Sequence, residues 1–376
     1  MRVAMDFDIG DEQEELRTSV RAVLERECPI AVVRDLVEKG TVPEQPWRSA
    51  TELGWPAIAV PERFGGLGLG FVELALVVEE HGRFLAPGPF LATVTQFAPA
   101  VREAGTDEQQ ARFLGGVAAG QLTGALAVSS PAGRCYPPDD SLRARRNGAG
   151  WELTGTRHHV IDGDVADEVV VSARVEEGDG VALFVVPRLS LKSARVTSLD
   201  ASRPIAAIEL DGVGVGADRV LGEPGACGPA LTRALEEATI ALALETVGVC
   251  QELFDRTLEY AKHREQFGRP IGSFQAIQHR FADMFADIEK ARATGYFAAM
   301  AVAEDDPRRA LAASMAKVAA GDCQRRVARE GIQIHGGIGF TWEHDVHLFV
   351  KRAKTGEALF GTSAVHRARI ADLLQI

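Results

Sequence analysis

Hydrophobic positions recur at helical spacing almost from the start of the chain. Between Asp11 and about Glu27, Leu16, Val20, Val23 and Leu24 form one apolar stripe behind an acidic first turn, which suits the positive end of a helix dipole. Similar patterns follow at about 46 to 54, 70 to 84, 89 to 104 and 107 to 118, interrupted by the turn-forming run PERFGGLGLG at 61 to 70. The period then changes. WELTGTRHHV, EVVVSARV, VALFVVPRL and AAIELDGV are short, β-branched, partly alternating runs separated by Gly, Asp and Pro. After Pro224-Gly225 the helical period returns in three long blocks, about 228 to 263, 273 to 304 and 308 to 334, with shorter ones near 344 to 353 and 362 to 374. Their length and short connections predict an antiparallel four-helix bundle. The expected architecture is α+β: a helical domain at 1–120, a central β-barrel-like domain at 121–224 and a helical bundle at 225–376.

Composition narrows the partners. A net charge of −12 argues against nucleic acid and anionic membranes, because neither attracts a surplus of carboxylates. No run approaches the roughly 20 apolar residues of a membrane span, and the first residues show no apolar leader core. Five scattered cysteines without a CxxC pair suggest neither a disulfide framework nor a zinc site, and a reducing cytoplasm fits them.

The motifs are more specific. YAKHREQFGRPIGSFQAIQHRFADM at 260 to 284 carries Arg264, Phe267, Gly268 and Gln275 in an RxxFG...Q arrangement. QIHGGIGF at 333 to 340 sets Gln333 before Gly336 and Gly337, and VPERFGGLG occupies 60 to 68. Together, and in this order, the three segments resemble acyl-CoA dehydrogenases over nearly the whole chain. The resemblance implies FAD, with the RxxFG and HGG segments reaching across a subunit interface to the adenosine diphosphate half of a neighbour's flavin. The residue types suit that task. Arg264 is a fixed cation for pyrophosphate, Gly336 and Gly337 let backbone N–H groups approach it, and Phe267 can pack on adenine. Taken singly, Arg264 is also a plausible solvated helix charge and Gly336-Gly337 a helix end, and Gln275 and Gln333 are the weaker signals.

By the same resemblance Thr362 in LFGTSAVHR touches the FAD diphosphate, but Phe360 stands where many members carry the catalytic Glu. The family's reaction removes an α-proton of an acyl-CoA while a β-hydride leaves for the flavin, giving a trans-2-enoyl-CoA, so it needs a carboxylate. The alternative position used by isovaleryl-type enzymes falls at Ala238, which also cannot serve. Glu245, seven residues on and only about 20° further round the helix, is the acidic residue in the apolar run IALALETVGV. It is the candidate base, with an ion pair to an Arg of a neighbouring helix as the competing reading. Glu236 and Glu237, beside Arg233, are expected on the solvated rim.

The β-domain departs from the family pattern. ALAVSSPAG at 125 to 133 stands for the usual TEP segment and HVIDG at 159 to 163 for the segment with a flavin-facing indole, so only Ser129 and Ser130 remain to meet the flavin. Groups offered to a neighbour's FAD persist while groups gripping the chain's own are altered. The chain is most similar to the actinobacterial steroid side-chain branch, which implies a homologous partner subunit in a dimer or α2β2 tetramer, a bulky acyl-CoA substrate and electron delivery to an electron-transfer flavoprotein. A non-catalytic partner subunit and a flavin monooxygenase of the same fold are the alternatives. His344 and His347, three apart, are expected to share a helix face without forming a metal site, and the basic spots Arg143, Arg145, Arg146 and Lys351, Arg352, Lys354 are candidates for CoA phosphates or solvated surface.

Overall fold

The computed structural model describes residues 10–135, 141–176 and 180–376, so the first nine residues of the expected helical domain lie outside it. Helices α1 (Asp11–Glu27), α2 (Ile30–Lys39), α3 (Gln45–Glu52) and α4 (Phe71–Arg83) come first. A helical stretch follows in which α5 (Phe90–Ala92) and α6 (Ala98–Ala104) are joined by a wide π-type turn at Thr93–Phe97, and then α7 (Asp107–Ala118). α2 was not expected: IAVVRDLVEK begins with β-branched residues that carry no helical preference, and its helix is set by burying Val33 and Leu36.

Eight strands form one sheet: β1 (Gly124–Ala127), β2 (Leu142–Asn147), β3 (Gly150–Ile161), β4 (Glu168–Val175), β5 (Val181–Pro187), β6 (Lys192–Arg195), β7 (Ile205–Val215) and β8 (Val220–Leu221). The order is β6-β7-β3-β2-β4-β5-β8, with β1 added in parallel on β4. β3 and β7 pair antiparallel with register shifts at Leu153/Gly155 and Arg157/Val160, and the second shift leads into Ile161-Asp162 at the end of β3.

The third part is helical: α8 (Gly228–His263), a small hairpin of β9 (Glu265–Gln266) and β10 (Arg269–Pro270), then α9 (Gln275–Ala303), α10 (Arg309–His335), α11 (Val346–Ala358) and α12 (Ser363–Leu374). α8 is buried on every side from Ala234 to Cys250, as expected of a helix apolar all round. α4 crosses it at two glycines. A Cβ on Gly248 would lie 1.9 Å from the Glu79 carbonyl oxygen, and one on Gly82 would lie 2.1 Å from that of Glu245. This backbone contact fixes where Glu245 sits relative to the first helical part.

Glu236 and Glu237 are not on a rim. They are 3% and 1% exposed, Glu236 receiving Arg309 at 2.8 Å and Arg369 at 3.1 Å, and Glu237 receiving Arg102 at 2.5 Å. Their cations come from α10, α12 and α6, so the neighbouring Arg233 was no guide: it pairs instead with Glu103 and Asp305. The histidines also differ from expectation. His344 precedes α11 and packs edge-on against His335, whereas His347 stacks on Trp342, so they share no helix face. All five cysteines are buried.

Candidate active site

Two regions collect the chemistry. The first is a cavity of about 640 Å³ between the sheet and the α11–α12 junction, within the roughly 300–1,000 Å³ range of small-molecule sites. Its floor is the turn Leu359–Thr362, where Phe360 and Gly361 both take left-handed backbone angles, φ 55° and 98°. Thr362 N-caps α12 and lines the cavity. Opposite it stands Ser129, whose hydroxyl lies 2.9 Å from the Cys135 sulfur, beside His159. Burial, and then the neighbouring His158, lower the His159 pKa. Ser130 does not line the cavity; its Oγ accepts from the Arg134 N–H at 3.0 Å and so shapes the turn. Among the described residues the lining contains Arg134 and Lys354 and no carboxylate.

The second region surrounds Glu245, which is 4% exposed. Arg203, just ahead of β7, and Arg352 of α11 (3.2 Å) both donate to its Oε1. Arg352 also donates to Asp200 Oδ2 at 2.6 Å and to the Ser202 hydroxyl at 2.7 Å. Burial pushes the Asp200 carboxyl up, but Arg352 and Arg203 outweigh it and hold its pKa below the usual range. Asp162 faces the same small cavity, about 20 Å³, which is room for roughly one water. Burial raises its carboxyl to about 7, against the pull of Arg203. His81 stacks on Phe90 at the cavity wall, and burial lowers it to about 4. Two cations thus face three carboxyl groups, and among the described residues Asp162 is the one with no direct guanidinium bond.

Nothing in the chain's pattern marks Asp162, Asp200 or Arg203 as a group, since they lie in two turns far apart in sequence. The weak signal was the coincidence of charged residues with short loops in HVIDG and LDASRP. Arg352, expected among surface cations, is buried and fully engaged.

The residues of the two glycine motifs lie at another end of the molecule. Tyr260 stacks on His335 with ring centroids 4.4 Å apart, which sets the C-terminal ends of α8 and α10 side by side. Arg264 and the β9–β10 hairpin therefore emerge beside Gly336-Gly337, where Gly336 (φ 65°) ends α10. Phe267 at the hairpin tip is 93% exposed, its ring edge-on to Phe274. Arg264, Gln275, Gln333, Gly336 and Gly337 are exposed, and among the described residues Arg264 has no ion pair. None of these lines the 640 Å³ cavity.

Residues 10–121 match the model of the acyl-CoA dehydrogenase N-terminal domain and residues 229–375 that of its C-terminal domain. The acyl-CoA dehydrogenase IpdE2 of Mycobacterium tuberculosis is 33% identical over 91% of each chain. The chain belongs to the acyl-CoA dehydrogenase family. Among solved structures, the ChsE4–ChsE5 complex of M. tuberculosis superimposes with a TM-score of 0.90 at 30% identity, covering 99% of both chains. A Tcur3481–Tcur3483 steroid ACAD variant does so with 0.85 at 31% identity, covering 97% and 98%. Among the described residues of this family member, no helix is long and apolar enough to cross a membrane.

Proposed function

We propose that this chain is one subunit of an FAD-dependent acyl-CoA dehydrogenase that completes its flavin site together with a second, related chain. The observation that carries this reading is the separation of the two sets of groups. The exposed Arg264, Phe267 and Gly336-Gly337 point away from the body of the chain, while the chain's own 640 Å³ cavity has no carboxylate among its described lining residues. An exposed aromatic on a hairpin tip beside an unpaired arginine fits a partner's ligand better than it fits solvent. Ser129, Thr362 and the backbone of Gly361 suit one end of a bound flavin, and the hairpin suits the adenosine diphosphate end of another. Bound FAD would take the hydride of the desaturation.

The kinship with the ChsE4–ChsE5 and Tcur3481–Tcur3483 pairs supports a heteromer, and the latter supports a bulky, steroid-derived acyl-CoA as substrate. An electron-transfer flavoprotein is the expected electron acceptor. One observation favours a second reading in which Glu245 is the α-proton base. Both guanidinium groups meet its Oε1, so Oε2 is left without a hydrogen bond among the described residues. The small cavity beside it is too narrow for an acyl chain as it stands, which favours the ion pair.

The test is flavin stoichiometry. Expressed alone the chain is expected to purify with little flavin, and co-expressed with a related acyl-CoA dehydrogenase chain that has the flavin-loop motifs it is expected to purify with flavin bound. A full complement of flavin on the chain alone overturns the reading.

A further inference from the structure

One face of α10 is built against the floor of the large cavity. Lys317 is 2% exposed, and its ammonium donates to the carbonyl oxygens of Gly356 at 2.5 Å and Leu359 at 2.7 Å. Gly356 lies in the last turn of α11 and Leu359 is its C-cap, where a cation meets the negative end of the helix. One turn earlier on α10, Ser314 lies 3.2 Å from His366 Nδ1. The other ring nitrogen, Nε2, donates to the Phe360 carbonyl at 2.9 Å. One turn later, Gly321 leaves room for Ser363 and Glu357: a Cβ there would lie 2.0 Å from the Ser363 hydroxyl. Glu357 in turn accepts from the Ser363 N–H and hydroxyl, both at 3.0 Å. Ser314, Lys317 and Gly321 thus form one stripe that fixes three carbonyls and one amide around Phe360-Gly361-Thr362.

The turn needs that support. Phe360 is a non-glycine residue with positive φ, which the local chain does not favour. A buried ammonium on two carbonyls of neutral charge, rather than on a carboxylate, is itself costly, and it persists only where it holds something in place.

We propose that Lys317 is a positioning residue for flavin binding, its ammonium holding the Leu359–Thr362 turn in the shape that the cofactor meets. This rests on the flavin reading of the cavity given above. Burial brings the Lys317 pKa down to about 8. The charged and titratable groups facing it are Glu357 from α11, Cys135 from the β1–β2 connection, Arg203, Glu245 from α8 and His366 from α12. Burial keeps His366 neutral above about pH 4, so it does not titrate in the range where Lys317 does.

The experiment measures FAD dissociation from the assembled holoprotein by flavin fluorescence between pH 6 and 9.5, alongside hydrogen exchange of the 359–363 amides. For the wild type, FAD affinity should fall and the protection factors of these amides, taken relative to base-catalysed intrinsic exchange, should drop as the pH passes 8. Lys317→Met should already bind FAD roughly ten- to a hundredfold more weakly at pH 7, with no further loss at high pH. Wild-type affinity and pH profile in Lys317→Met would overturn the proposal. If that variant does not fold, the wild-type exchange profile decides alone: protection factors that stay flat through pH 8 sink it. Failure of the flavin reading looks different, since no flavin is then held at any pH while the exchange at 359–363 still responds.

Discussion

At the residue scale the cluster around Glu245 makes two predictions that separate structure from chemistry. Glu245 and Asp200 together balance the two buried guanidinium groups of Arg203 and Arg352, so Glu245→Gln leaves one surplus buried positive charge and should cost about 3 kcal/mol, read as a lowered denaturation midpoint. Unchanged stability with turnover lost by orders of magnitude would instead make Glu245 the base. Asp162 is the titrating member. Burial raises its carboxyl from 3.8 to about 7, so the native state keeps a proton that the unfolded chain releases. Its contribution is therefore fully present below about pH 4 and is lost as the pH climbs to about 7. The loss is on the order of 4 kcal/mol by linkage. Asp162→Asn cannot lose a proton and should gain on the wild type steadily from pH 4 to 7 and no further. Parallel stability profiles for the two proteins would show that Asp162 does not titrate in this window.

At the scale of elements, what was legible in the sequence is what local periodicity dictates. α8 spans Gly228–His263 as its pattern predicts, because an apolar 3.6-residue period sustained over that length leaves no alternative. The strand EVVVSARV is β4 residue for residue, since β-branched runs bounded by turn formers fit only a sheet. α2 was not legible, and neither was the wide turn at Thr93–Phe97, because both depend on what they pack against. The same division runs through the candidate site. The glycine motifs pointed to the family because a short segment carries that signal. The partners of Glu236, Glu237 and Glu245 could not be read, since Arg309, Arg102, Arg203 and Arg352 reach them from elements distant in sequence. Lys317 left a faint trace, a lone cation in the small-residue run AASMAKVAAG. Ala-rich helices pack closely, and a Lys among such residues has either a carboxylate or a chain end to hold.

At the scale of the whole molecule, the chain keeps its densest polar networks inside and leaves several large apolar side chains outside: Phe267, Phe285, Phe340 and Trp342. Phe267 and Phe340 belong to the hairpin and to the segment after Gly336-Gly337, so apolar surface and the residues proposed to meet the diphosphate coincide at one end. Single exposed aromatics are ordinary, but exposed aromatics beside exposed glycines and an Arg264 without an ion pair among the described residues suit a surface that a partner would cover. In the proposed assembly such a surface would contribute to the contact between chains without holding up its own subunit. The double variant Arg264→Ala, Phe267→Ala should therefore leave the melting temperature of the isolated chain within about 1 °C of the wild type, because neither side chain is buried within it. In the assembled protein the same variant should weaken FAD retention by at least about tenfold, the cost of one charge-assisted contact with the diphosphate and one aromatic contact with the adenine. Thermal melts of the chain alone and flavin release from the assembly measure the two effects separately. A variant that melts early on its own would return these residues to a structural role, and one that keeps its flavin in the assembly would remove the hairpin from the cofactor site.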